Sequence, residues 1–380
     1  MRNDLLRKRL VQFAAAAALL TGTSSCSDQS LSPDQVFVEA EEIADRLRSQ
    51  LEGNVMGYTA VISYQGDLLV ELSGGMARND TDIAREFRIE DKLHIGQLSQ
   101  FITAVASVRF LRDRQISLTE SIADYLPAGW EKGENLDQVR FINLLTHTSG
   151  FLRPGSQRVR AATLDSLRLV IQQGALPEES RVYTHQNFAM MRVLIPQIID
   201  RGNRTLGPQP LDFDYGFVFR EYLRKELFPA AGLDDNALQT TQMTEDPPLA
   251  YYGPDDAGFG YGNNWNYILI SGAFGYYLNI RQLASFWNLF WYSDRLLNGN
   301  ERELMKSERI GFDPADGSQA DRAFIKSGSW VYASNQEGLA KTVESFAGHF
   351  PDGWDLLILT NSPHSEDRSL TEIALKSMGY

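Results

Sequence analysis

The sequence has 380 residues, 43% of them hydrophobic and 22% charged. That composition excludes a disordered chain, a collagen-like repeat and a disulfide scaffold, and the length supports a large buried core. With 36 basic against 49 acidic residues the net charge is −13, which repels phosphate backbones, so no nucleic-acid partner is expected. The one cysteine, Cys26, precludes an internal disulfide, and only eight residues are lysine.

The chain opens with a basic stretch (Arg2, Arg7, Lys8, Arg9), an apolar run from Leu10 to Gly22, and Thr23-Ser-Ser-Cys26. This pattern predicts a secretory signal over residues 1–25, too short to span a bilayer as an ordinary helix. A cysteine at its end is similar to a bacterial lipoprotein signal, with Cys26 lipidated. The other reading is an exported protein in which Cys26 is incidental. The arrangement favours the first, and residues 26–31 then form a short tether.

Ser32-Pro33-Asp34 signals a helix start, and Val36, Ala40, Ile43, Leu47 and Leu51 follow as one apolar stripe. Residues 57–64 and 67–72 read as two strands around Gln65-Gly66. A mostly apolar helix is expected over 98–111. From about 114 to 260 the pattern is helices and loops with Pro and Gly breaks. The aromatic run Tyr251, Tyr252, Phe259, Tyr261, Trp265 and Tyr267 either covers the core or lines a cleft. A helix over 280–291 and strands over 323–333, 339–346 and 354–359 come next, and a helix over 365–378 closes the chain. Strands at both ends with helices between them predict an α+β fold. The α/β domain would comprise 32–113 plus 261–380, and a mainly helical domain 114–260.

Several stretches, in order, carry a resemblance. They are Gly57-Tyr-Thr-Ala-Val-Ile-Ser-Tyr64, Phe87-Arg-Ile…His94-Ile-Gly96, Ile122-Ala-Asp-Tyr-Leu-Pro127, Leu144-Leu-Thr-His-Thr-Ser-Gly150, Tyr183-Thr-His185, Gly272-Ala-Phe-Gly275 and Lys326-Ser-Gly328. Together they resemble the serine β-lactamase and penicillin-binding-protein superfamily, in its class C and esterase-like branch. The resemblance implies a β-lactamase/transpeptidase-like fold, with an antiparallel sheet flanked by helices and a helical insert. The N-terminal signal with Cys26 at its end carries the expected location, the bacterial cell envelope, exported and lipid-anchored.

The superfamily's acyl transfer uses a Ser-x-x-Lys pair at the start of the apolar helix. Residues at i and i+3 share a helix face, so a desolvated lysine can take the serine proton. Here the matching stretch is His94-Ile-Gly-Gln-Leu-Ser-Gln100, with Gln97 at the serine position and Gln100 at the lysine position. Neither amide is a nucleophile or a base near neutrality. No lysine in the chain has a serine three residues before it.

Through the resemblance, Tyr183 matches the second-motif tyrosine, and His185 replaces an asparagine. Lys326, Ser327 and Gly328 match the third motif, and Ser329 supplies an oxyanion-type N–H. The Lys326 charge and these N–H donors are expected to be available to an acyl or carboxylate ligand. His147 reads as a structural histidine, while His94 and His185 are expected to border the cleft. No metal or other cofactor is expected. The reading is a binding protein with lost acyl-serine chemistry, taking a peptidoglycan-type peptide, an acyl ligand or a protein partner. The alternative is an active esterase, D-Ala peptidase or β-lactamase using Ser99 or Tyr183 with Lys326.

Overall fold

A computed structural model describes residues 31–151, 162–176, 182–234, 237, 246–262, 267–314, 323–336 and 338–380. The expected signal, Cys26, most of the tether and Trp265 lie outside these residues.

Helix α1 (Pro33–Leu51) begins at a reciprocal cap. Ser32 Oγ accepts from the Gln35 N–H at 3.4 Å, and the Ser32 N–H donates to Gln35 Oε1 at 2.9 Å. Its stripe Ala40, Ile43, Leu47 and Leu51 is buried. Strands β1 (Gly57–Tyr64) and β2 (Asp67–Arg78) form the expected hairpin. β2 runs beyond the expected Leu72, because its far end pairs with β3 (Arg85–Glu86). β4 (Leu93–His94) pairs with β5 (Tyr277–Leu278) as a separate ribbon. The last three strands are β6 (Phe324–Ser334), β7 (Ala340–His349) and β8 (Trp354–Thr360). With the first three they complete a six-stranded antiparallel sheet in the order β3-β2-β1-β8-β7-β6. β8 is buried along its whole length, as a central strand covered on both faces must be. β6 is the edge strand.

The further helices are α2 (Ser99–Asp113), α3 (Phe141–Leu145), α4 (Leu164–Gln173), α5 (His185–Asn203), α6 (Asp212–Tyr222), α7 (Phe228–Ala231), α8 (Ile280–Tyr292), α9 (Gly299–Ser307) and α10 (Leu370–Met378). α2 is buried on every face from Ser99 to Val108. The helical stretch between 114 and 260 shares one core with the sheet: Phe141, Leu167, Phe188 and Phe219 belong to the same cluster as Phe101, Val343 and Leu357. Each such buried side chain contributes roughly 1.5–3 kcal/mol of transfer free energy. The closing helix starts later than the sequence pattern suggests. Ser369 Oγ accepts from the Glu372 N–H at 3.2 Å and the Ser369 N–H donates to Glu372 Oε2 at 2.8 Å, a cap that fixes the start at Leu370.

Candidate functional site

The site forms where the chain enters α2 and crosses the edge of the sheet. A single 3₁₀ turn, Gly96–Leu98, lies directly on β6. Gly96 has φ +53°, and a Cβ there would stand 2.4 Å from the Ser329 nitrogen. Across the contact, a Cβ on Gly328 would stand 2.6 Å from the Ile95 carbonyl oxygen. Two missing side chains therefore let backbone meet backbone. Ser345 Oγ on β7 donates to the same Ile95 oxygen at 2.7 Å and ties the turn to the sheet.

This crossing sets Gln97 against β6, where its Oε1 accepts from the Ser329 N–H at 2.5 Å. One turn on, Gln100 donates through Nε2 to the Tyr183 hydroxyl at 2.9 Å, and its Oε1 accepts from Lys326 Nζ at 3.4 Å. The Tyr183 hydroxyl also lies 3.1 Å from His185 Nδ1. Lys326 is 3% exposed and pairs with Asp313 Oδ1 at 2.9 Å. The other Asp313 oxygen accepts from the Ser327 N–H at 2.8 Å and from Ser327 Oγ at 2.7 Å. Burial pushes the Asp313 carboxyl up, but Lys326 and the two Ser327 donors outweigh it and hold the group below the usual range.

A cavity of ≈ 350 Å³ opens over this cluster. Gln97, Tyr183, Lys326, Ser329, Glu344 and the start of α10 line it. Glu344 sits on β7 directly opposite Ser329. Burial raises its carboxyl to about 7.

The structure thus brings Gln97, Gln100, Tyr183, His185, Lys326, Ser327, Gly328 and Ser329 together. It corrects the expectation that Lys326 and the N–H donors stand ready for a ligand. Asp313 holds Lys326 and the Ser327 N–H, and Gln97 holds the Ser329 N–H. Ser99 is fully buried, its hydroxyl has no hydrogen-bond partner among the described residues, and it is not on the cavity wall. His94 does not border the cavity either. It is enclosed by Trp330, Tyr267, Tyr277 and Phe274, accepts from the Gly96 N–H through Nδ1 at 3.0 Å, and is held neutral by burial, its pKa lowered to about 3. His147 Nδ1 lies 3.1 Å from Asn187 Nδ2, and Ser149 Oγ donates to the same asparagine at 2.7 Å. The aromatic run divides: Tyr251 and Tyr267 are core residues, while Phe259 is exposed.

Two charged wall residues, Asp313 and Glu344, are not among the residues the sequence points to, nor are Ser345 and the start of α10. Asp313 lies 13 residues before Lys326, with no fixed spacing to suggest the pair. A faint signal for Glu344 was available, since it is an acidic residue inside an otherwise buried strand.

A sequence model of the Beta-lactamase family matches residues 40–369. No curated protein matches. Solved structures align across nearly the whole chain at low identity. FmtA from Staphylococcus aureus is 14% identical with a TM-score of 0.63, covering 98% of this chain and 94% of that one. A β-lactamase/D-alanine carboxypeptidase from Pseudomonas syringae is 16% identical with a TM-score of 0.59, covering 90% and 99%. A class C β-lactamase from Rhodobacter sphaeroides is 15% identical with a TM-score of 0.58, covering 89% and 98%. At these identities the structural likeness is one of fold. The chain belongs to the β-lactamase family, within the serine β-lactamase and penicillin-binding-protein superfamily.

Proposed function

We propose that this protein is a non-acylating member of its family, a receptor that holds a peptide-type ligand in the cleft without forming an acyl-enzyme. The observation that carries the reading is the start of α2. Gln97 and Gln100 occupy the positions of a nucleophile and its base, and Gln97 places its own carbonyl oxygen on the Ser329 N–H. An oxyanion donor satisfied by an amide of the same chain is not free to stabilise a tetrahedral intermediate. The neighbouring cation, Lys326, is bound to Asp313, so neither half of an acyl-transfer site is available. Ser99 offers no replacement, because it is sealed in the core.

Export and attachment to the envelope through lipidated Cys26 complete the proposal, on the strength of the N-terminal pattern. Incubation with fluorescent penicillin and with a fluorophosphonate probe tests the first part. No adduct should survive denaturation, and a covalent adduct overturns the reading. Detergent-phase partitioning tests the second: it should be lost in Cys26→Ser, and unchanged partitioning of that variant rejects the anchor.

A further inference from the structure

We propose that the cavity binds its ligand through a primary ammonium group seated on Glu344. The inference rests on the reading of the cleft as a non-acylating binding site and names the ligand chemistry for it.

The charges on the cavity wall carry the argument. Among the described residues three charged ones line it: Asp313, Lys326 and Glu344. The first two form an ion pair at 2.9 Å and cancel. The Glu344 side chain makes no hydrogen bond or ion pair among the described residues. It lies on an interior strand, paired with Ser329 on β6 and with Thr360 on β8. A carboxylate taken from water into such a place is costly unless a cation meets it. Among the described residues nothing packed around it supplies one. β6 brings Lys326, which is already engaged, and β8 brings uncharged Thr360. The turn at Gly96–Leu98 brings the Gln97 amide, and α5's approach brings the Tyr183 hydroxyl. The start of α10 brings Ser369, Leu370 and Thr371, with Glu372 committed to the helix cap and Arg368 to Glu366.

A ligand carboxylate would face an uncompensated negative wall. An ammonium would pair with Glu344, and Ser329 and Thr371, two hydroxyl residues that can accept its remaining protons, line the same cavity. Because burial holds the empty Glu344 carboxyl at about 7, docking a cation there lowers its pKa and releases a proton near neutrality. Affinity for the cation therefore rises with pH through that range.

The test uses two lysine amides, Nα-acetyl-lysinamide and its Nε-acetylated derivative, which lacks the charge. Binding to the full chain is measured by calorimetry at about pH 5.5 and about pH 8.5, where the lysine ammonium stays charged. The cationic amide is expected to bind at least ~10-fold more tightly at the higher pH, and the neutral derivative to show no such dependence. Glu344→Gln should remove both the preference and its pH dependence. A second readout uses the unmodified protein: at about pH 6.5, buffers of different ionisation enthalpy should reveal proton release on binding. Equal affinity for the two amides, absence of saturable binding of the cationic one, or proton-neutral binding each overturns the proposal. Labelling by penicillin would instead overturn the non-acylating reading, so the two fail separately.

Discussion

The side-chain oxygen of Gln97 lies 2.5 Å from the amide nitrogen of Ser329, across the crossing of the 3₁₀ turn and β6. In acyl-transfer sites such a donor waits for an oxygen that becomes charged in the transition state. Here a neutral amide from the neighbouring turn occupies it. On the proposed non-acylating reading, Gln97 stands at the nucleophile's position and its side chain also fills the space a substrate carbonyl would need.

Restoring chemistry at that point should require two changes at once. A nucleophile and its base act as a unit, and losing either costs on the order of 10⁶ in rate where this has been measured. Gln97→Ser alone frees the Ser329 N–H but leaves no base, and Gln100→Lys alone leaves no nucleophile. Neither single variant is expected to react with fluorescent penicillin. The double variant is expected to form an adduct slowly, because Tyr183 and Lys326 already stand beside position 100. Labelling of either single variant at the rate of the double would refute the two-part loss.

Asp313→Asn tests whether Lys326 is held in reserve by its partner. The substitution removes the ion pair and weakens the acceptor for the two Ser327 donors. Denaturant unfolding should show a loss of about 1–3 kcal/mol. The Asp313 carboxyl titrates below its ordinary 3.8, so its contribution is present above that value and fades as pH falls through the lowered one. The exposed cation should then bind small carboxylates such as acetate, which the unmodified protein should not. A variant as stable as the parent and still indifferent to acetate would show that Asp313 does not occupy an anion site.

Much of this could be read from the order of the residues. The apolar stripe of α1, the Gln65-Gly66 hairpin and the continuous hydrophobic run of β8 are local patterns, and each became the element its period predicts. The positions 97, 100, 183 and 326 were legible because short motifs fix them relative to neighbouring elements. Asp313 and Glu344 were not, since their importance comes from which side chains the folded chain sets opposite them. His94 failed for the same reason. Its place two residues before the turn suggests the cleft, yet the rings of Trp330 and Tyr267 close over it from distant segments.

The backbone contact beneath Gln97 should tolerate no side chain. Gly96→Ala places a Cβ 2.4 Å from the Ser329 nitrogen at a φ of +53°, where an L-residue is already strained. A loss of about 1–3 kcal/mol is expected from the strain alone. Gly202, inside α5 with open space at its Cβ position, is the control. Gly202→Ala should gain about 0.5–1 kcal/mol through helix propensity. Comparable unfolding midpoints for the two variants would mean that the turn can lift from β6 without cost.

His94 and Glu344 are desolvated groups whose titrations oppose each other. Burial pulls His94 from 6.5 down to about 3. Between those values the unfolded chain binds a proton that the native state refuses, so stability rises with pH by at most about 1.4 kcal/mol per unit. Burial pushes Glu344 from 4.5 up to about 7. Between those values the native state keeps a proton that the unfolded chain has released. Its stabilisation is therefore full below 4.5 and disappears as pH climbs through about 7. From about 4.5 to about 6.5 the two slopes have opposite signs and largely cancel. Removing one partner should expose the other. His94→Gln should lose stability as pH rises across that window, and Glu344→Gln should gain it. Urea midpoints measured in a pH series decide the matter, and parallel profiles for the two variants would show that these groups are not desolvated as the fold places them.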